Sequence, residues 1–158
     1  MTTATTIPAQ RLQLSDVAPR QHAGMARLSG TIELDPALGE LLDIRASQIN
    51  GCAFCLDMHW KDARHRGVSE ERLAMIPAWR EDPRFDDRER AALALCEAMT
   101  LVADTNVPHD VWAEAEAQFP PEELAQVVFA IAAINTWNRL CVSTRVEPGH
   151  YVPGMFAA

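Results

Sequence analysis

The sequence predicts an all-α fold, a compact bundle of about six helices. Three observations predict it. Apolar residues recur at helical spacing in one segment after another, helix-starting and helix-stopping residues bound those segments, and no alternating apolar–polar run reads as a strand. No internal repeat at a period of roughly 20 to 50 residues is visible either.

The first helix is expected from Asp35 as N-cap and Pro36 in the first turn, through Leu38, Leu41, Leu42 and Ile44 to about Gln48. Asn50-Gly51 breaks it. A second helix is expected from Cys52 to Arg66, with Gly67 just past its end. Ser69 caps a short third helix through Ile76, and Pro77 follows. The stretch from Pro83 to Asp87 reads as a polar loop. Asp86 or Asp87 opens a strong helix through Val102, with Ala92, Leu93, Leu95, Cys96 and Met99 at helical spacing. Pro108 opens the fifth, to about Phe119. Pro120-Pro121 ends that one and begins the last, through Val127, Val128, Ile131 and Ile134 to about Leu140. This last helix is apolar on several faces, so it is expected at the centre of the bundle or in a subunit interface, and a homo-oligomer larger than a dimer follows. Residues 1–31 and 142–158 carry Pro, Gly and scattered apolar residues, among them Tyr151, Val152, Met155 and Phe156. They are expected as arms on neighbouring subunits around a core of residues 30–146.

The 158 residues suit a single domain. A hydrophobic share of 48% beside a charged share of 23% argues for a folded body. The net charge of −8 excludes phosphate-neutralising chemistry, so no nucleic-acid partner is expected, and no anionic membrane surface. No apolar stretch is long enough to span a membrane. Residues 1–10 are polar and Thr-rich, without the basic flank and apolar run of a secretory leader, so the cytoplasm is the expected compartment. There thiols stay reduced, and a close cysteine pair points to catalysis or metal binding rather than a structural staple.

That pair lies in Gly51-Cys52-Ala53-Phe54-Cys55-Leu56-Asp57-Met58-His59. If a helix begins at Cys52, then Cys52, Cys55 and His59 share one face, with His59 a turn beyond Cys55. The reactive form of cysteine is the thiolate, and a helix N-terminus favours it through its unpaired N–H groups and its dipole. The spacing thus supplies a nucleophile, a nearby base and a second thiol that can resolve an oxidised sulfur to a disulfide. Other readings of the motif are weaker. A structural zinc site wants four ligands, and Cys96, Cys141 and His65 do not form a second ligand pair. Haem attachment needs histidine directly after the second cysteine, where Leu56 stands. A thioredoxin-like unit needs a strand before the pair. Cys96 and Cys141 read as core or interface thiols. His22, His65, His109 and His150 read as surface residues, and Trp60, Trp79, Trp112 and Trp137 as packing residues. Glu40, in the helix before the break, is within reach of His59 if the two helices pack, though spacing alone favours a surface glutamate.

Glu40, then Cys52, Cys55 and His59 at their observed intervals resemble the motif of the alkylhydroperoxidase D (AhpD) family, within the carboxymuconolactone decarboxylase-like superfamily. The runs Arg45-Ala46-Ser47-Gln48-Ile49-Asn50, Arg88-Glu89-Arg90-Ala91-Ala92-Leu93 and Asn135-Thr136-Trp137-Asn138-Arg139 are similar to the same family. The resemblance implies a helical fold assembling as trimers or hexamers, with Cys55 as the peroxidatic cysteine and Cys52 as the resolving one. It implies that His59 and Glu40 form a proton relay. Well-studied members carry a second histidine where this chain has Phe54. The implied activity is reduction of a small hydroperoxide, with no bound cofactor and no metal, recharged by an external thiol or lipoyl-type reductant, either a dithiol or a lipoyl-bearing protein. A non-enzymatic thiol redox sensor or exchange protein would use the same pair and differ in turnover. The superfamily's decarboxylases lack the cysteine pair, which argues against lactone decarboxylation.

Overall fold

The computed structural model describes residues 9–156. Among them are nine α-helices and one 3₁₀ turn, and no strand. The helices are α1 (Leu14–Val17), α2 (Pro19–Gly30), α3 (Pro36–Asn50), α4 (Ala53–His65), α5 (Glu70–Ala74), α6 (Asp87–Thr100), α7 (Val102–Thr105), α8 (His109–Gln118) and α9 (Pro121–Thr144), with the 3₁₀ turn at Ile76–Ala78. The expected six are α3, α4, α5, α6, α8 and α9. The difference lies at the ends. Helix α1 is a single turn, and α2 buries none of its residues fully: the side it turns to the bundle carries His22, Met25 and Ser29 rather than a stripe of large apolar residues. The expected run to Val102 breaks at Leu101, where φ −100° and ψ 31° leave the helical region, and a single further turn follows as α7. Helix α9 continues to Thr144, past the expected end near Leu140, and stops at Arg145 in the left-handed conformation. No helix among the described residues is long and apolar enough to cross a membrane.

Local chemistry explains the starts and stops. The Asp35 carboxylate accepts a hydrogen bond from the Leu38 amide at 2.9 Å, and Pro36 supplies the first helical residue. Asp86 and Glu89 form a reciprocal capping box at the head of α6. Gly51 takes φ 65°, and the Cys52 and Gly51 amides bond back to the carbonyls of Ser47 (3.0 Å) and Gln48 (3.3 Å). That is a Schellman closure. Gly67 repeats it at the end of α4, where φ is 92° and the Val68 amide returns to Ala63 at 3.0 Å.

Helix α3 lies in the middle, packed against α4, α6 and α9. Leu41, Leu42 and Ile44 of α3 meet Leu93 and Leu95 of α6 and Val127 and Ile131 of α9 in one continuous apolar cluster. All seven are essentially withdrawn from solvent, each contributing about 1.5 to 3 kcal/mol. A polar layer crosses this core. The Asn50 side-chain amide donates to the carboxamide oxygens of Asn135 (3.0 Å) and Asn138 (2.8 Å), while Asn138 donates to Ser47 Oγ at 2.9 Å. Asn135 in turn donates to Thr100 Oγ1 at 3.0 Å. Because each of these buried groups needs its partner, the layer fixes the register of α9 against the last turn of α3.

The described parts of both arms touch the rest of the chain. The Arg11 amide donates to the Thr144 carbonyl at 2.8 Å, and Trp137 Nε1 donates to Ser29 Oγ at 2.9 Å. Beyond α9 the backbone returns to α4. There the Gly149 amide donates to Asp57, Lys61 donates to the Tyr151 carbonyl, and the buried Tyr151 hydroxyl donates to Asp62 at 2.8 Å. Phe129 and Val142 on α9 remain about half exposed, at 53% and 47%.

Candidate active site

The Schellman closure that ends α3 also begins α4. Cys52 is at once the residue whose amide completes the α3 turn and the N-cap of α4. Its extended backbone (φ −86°, ψ 96°) turns the chain, and Cys55 follows in the first turn of α4. The two sulfurs lie 2.8 Å apart as free thiols, each with its residue 1% exposed.

A third sulfur joins them. Cys141, read from the sequence as a core or interface thiol, lies with its Sγ within 4.8 Å of both Cys52 and Cys55. It stands one turn beyond Asn138, so the polar layer that sets the register of α9 also brings this thiol to the pair. Cys96 is different. It is fully buried in the core with its Sγ 3.5 Å from the Leu42 carbonyl, and burial pushes its thiol up to about 12.

Beside the thiols, His59 Nδ1 lies 2.9 Å from Glu40 Oε2 and 3.3 Å from Asp43 Oδ2. Glu40 Oε1 also faces Arg66 Nε at 3.3 Å. Helix–helix packing of α3 on α4 brings Glu40, a surface residue by spacing alone, to 7% exposure. Asp43 was not singled out by the sequence reading. The available signal was its position three residues after Glu40, which puts both carboxylates on one face of α3.

The electrostatics follow from this geometry. Burial pulls His59 toward its neutral form, but Asp43, Glu40 and more weakly Asp62 outweigh it and raise the imidazole to about 9. Burial raises Asp43 to about 6, with the Glu40 charge adding to the rise and His59 opposing it. At neutral pH the group is therefore an imidazolium between two carboxylates. Among the described residues no hydrogen bond joins His59 to either cysteine of the pair. The neighbouring Cys141 and Cys55 sulfurs hold the Cys52 thiol below its usual range, against a burial that opposes charge; the Cys55 amide and the His59 charge act in the same downward sense. Cys55 is pushed above its usual value by its contacts with Cys141 and Cys52. The cluster thus favours a single thiolate, and the surroundings of Cys52, at the helix start, favour the charge more than those of Cys55.

Among the described residues two groups have metal-ligating composition: the three sulfurs, and Glu40 with Asp43 and His59. Cys141, expected to stand apart from the pair, instead brings the sulfur ligands in reach to three. A tetrahedral site wants four.

The chain belongs to the carboxymuconolactone decarboxylase family, whose pattern matches residues 20–98, a span covering the pair, His59, Glu40 and Asp43. Within it the chain is AhpD-like. It is 34% identical over 137 residues to the uncharacterised protein YdfG of Bacillus subtilis, covering 85% of this chain and 93% of YdfG. Its fold superposes with a TM-score of 0.87 on ATU0492 from Agrobacterium tumefaciens, a protein of unknown function linked by its description to the antioxidant defence protein AhpD. The identity there is 36%, covering 90% of this chain and all of the other. The alkylhydroperoxidase AhpD core of a peroxidase-related protein from Ralstonia eutropha shares the fold, with a TM-score of 0.75 at 15% identity, over 91% of this chain and 78% of that one.

Proposed function

We propose that this protein is a thiol-dependent hydroperoxide reductase working through the Cys52–Cys55 pair. The observation that carries the reading is the 2.8 Å sulfur–sulfur contact at the start of α4, where helix dipole and thiol donors favour one thiolate. A thiolate attacks the terminal oxygen of a small hydroperoxide, the O–O bond breaks, and the alkoxide leaves as alcohol after taking a proton. The sulfenic acid that remains is attacked by the other thiol, closing the disulfide with loss of water. An external dithiol of lipoyl type then reduces the bridge, so no bound cofactor and no metal enters the cycle. In this scheme His59, protonated up to about 9, supplies the proton for the alkoxide, and Glu40 with Asp43 holds the imidazolium in place. The scheme changes the expected part of His59 from base to acid. The exposed apolar side chains on α9 support assembly as a homo-oligomer, a trimer or hexamer by family likeness.

Family likeness gives the first attack to Cys55 and resolution to Cys52. One feature favours the opposite division: Cys52 is the N-cap of α4, and its surroundings favour the thiolate there over Cys55. The two single serine variants, treated with one equivalent of organic hydroperoxide and a sulfenic-acid label, decide between them. The attacking cysteine is the one that takes the label when the other is serine. The function itself is tested by steady-state turnover with organic hydroperoxide and dihydrolipoamide. Turnover that disappears in both serine variants is the expected result. A reversible disulfide without turnover would assign the chain to thiol redox sensing or exchange instead.

A further inference from the structure

Cys141 has no part in the cycle just described, yet it completes the sulfur cluster. Its Sγ is within 4.8 Å of both sulfurs of the pair, close enough for a disulfide after a side-chain rotation. Its position is held rather than incidental. One turn earlier on α9, Asn138 is bonded to Ser47 and Asn50, the residues of α3 that lead into Cys52. Cys141 is also the least covered of the three. The pair is 1% exposed, whereas Cys141 is half-buried near the end of α9, beside the exposed Val142. Thiol–disulfide exchange needs one sulfur to approach another in line, which a bulky external donor cannot do at a buried bridge.

We propose that Cys141 is a third redox thiol that takes over the disulfide from the pair and presents it to the external dithiol. The inference rests on the reading of Cys52–Cys55 as a reversible disulfide. The Cys141 sulfur attacks Cys52, the Cys52–Cys141 bond forms as Cys52–Cys55 breaks, and the electron pair leaves with Cys55. Cys55 takes up the proton that Cys141 gives up, so the step is an exchange with no net oxidation. The external dithiol then attacks Cys141, and its second thiol releases it as a cyclic disulfide, returning Cys141 and Cys52 as thiols. In the reduced cluster the facing Cys52 sulfur and burial both raise the Cys141 thiol, and the part due to Cys52 is relieved once Cys52 is in a disulfide.

The test uses diamide as oxidant, so that it stands apart from any peroxide activity. After acid quench and alkylation, a tryptic digest places Cys52 and Cys55 on the peptide 46–61 and Cys141 on 140–145. A bridge within the pair stays inside one peptide, whereas a Cys141 bridge joins two. The joined peptides are expected in the oxidised wild type and should dominate in Cys55→Ser. In Cys141→Ser, re-reduction of the oxidised pair by dihydrolipoamide should slow by roughly tenfold or more relative to its oxidation. Absence of the joined peptides in both proteins, or re-reduction of Cys141→Ser at the wild-type rate, overturns the proposal. Joined peptides and slowed re-reduction without hydroperoxide turnover would sink the peroxidase reading and leave this one standing.

Discussion

Replacing Glu40 by Gln tests the electrostatics of the site directly. The substitution keeps the side-chain shape and an oxygen that accepts from His59, but removes one of two negative charges within 3.3 Å of Nδ1. The native imidazole binds its proton up to about 9 instead of the ordinary 6.5. At 1.36 kcal/mol per pH unit that climb corresponds to about 3 kcal/mol of preference for the charged form. Burial works against it, so the carboxylates together supply more than the net, Asp43 through its charge and Glu40 through both its hydrogen bond and its charge. Glu40→Gln should therefore lower the His59 pKa by about one pH unit or more, ~1.4 kcal/mol, and Asp43→Asn should lower it at least as far. The assay is a proton NMR titration of the His59 ring, assigned against His59→Gln. Stability gives a second reading with a definite sign. Between pH 6.5 and about 9 the folded state holds a proton that the unfolded chain has released, so wild-type stability should fall as pH rises through that window. The fall should be smaller in Glu40→Gln. A His59 pKa that stays put in both variants would show that the carboxylates do not hold the imidazolium, and the proton-donor role would lose its basis.

Other outcomes follow from single features. Alkylation of Cys52 by iodoacetamide should keep its rate from about pH 5 to 8, where an ordinary thiol near ~8.5 would change about tenfold per pH unit; a steep profile would refute the low-lying thiolate. Gly51→Ala meets no atom within 4 Å but must hold φ 65°, so it should cost about 1 kcal/mol in thermal unfolding and disturb disulfide formation at the adjacent Cys52. Asn138→Leu strands the Ser47 hydroxyl and removes one of the two acceptors of the Asn50 amide, which keeps Asn135, so urea unfolding should show a loss of about 1 to 3 kcal/mol. Light scattering should give a mass several times 17.5 kDa, and a single-chain mass would remove the oligomer from the proposal.

The helices that build the core were legible because each buries a stripe and announces its ends. Asp35-Pro36, Asn50-Gly51, Gly67 and Pro120-Pro121 are local signals with local causes, and the boundaries fall within a few residues of where those signals stand. Helix α1 is a single turn, and α2 meets the bundle through His22, Met25 and Ser29, a partly polar face without an apolar stripe to reveal it. The pair and His59 were legible for the same reason as the helices: they lie within two turns of one helix in sequence. Glu40 became a candidate only through family likeness, since its burial is a property of how α3 rests on α4.

Asp43 and Cys141 mark where sequence stops being informative, and they do so for different reasons. Asp43 shares the face of Glu40, so accepting Glu40 as a partner of His59 already implied a second carboxylate beside it; the inference needed one more step of helix geometry. Cys141 could not be found that way. It stands 86 residues beyond Cys55, and what brings the two together is a chain of side-chain hydrogen bonds, Asn50 to Asn138 to Ser47, that fixes α9 by one particular rotation and height. Turning α9 by one residue, about 100°, would carry Cys141 off the pair and strand the asparagines at once. The run Asn135-Thr136-Trp137-Asn138-Arg139 therefore reads physically as a locating device for the redox centre. Its asparagines pin the turn that carries Cys52, Trp137 ties the helix to Ser29, and the thiol one turn further on reaches the sulfurs that the turn presents.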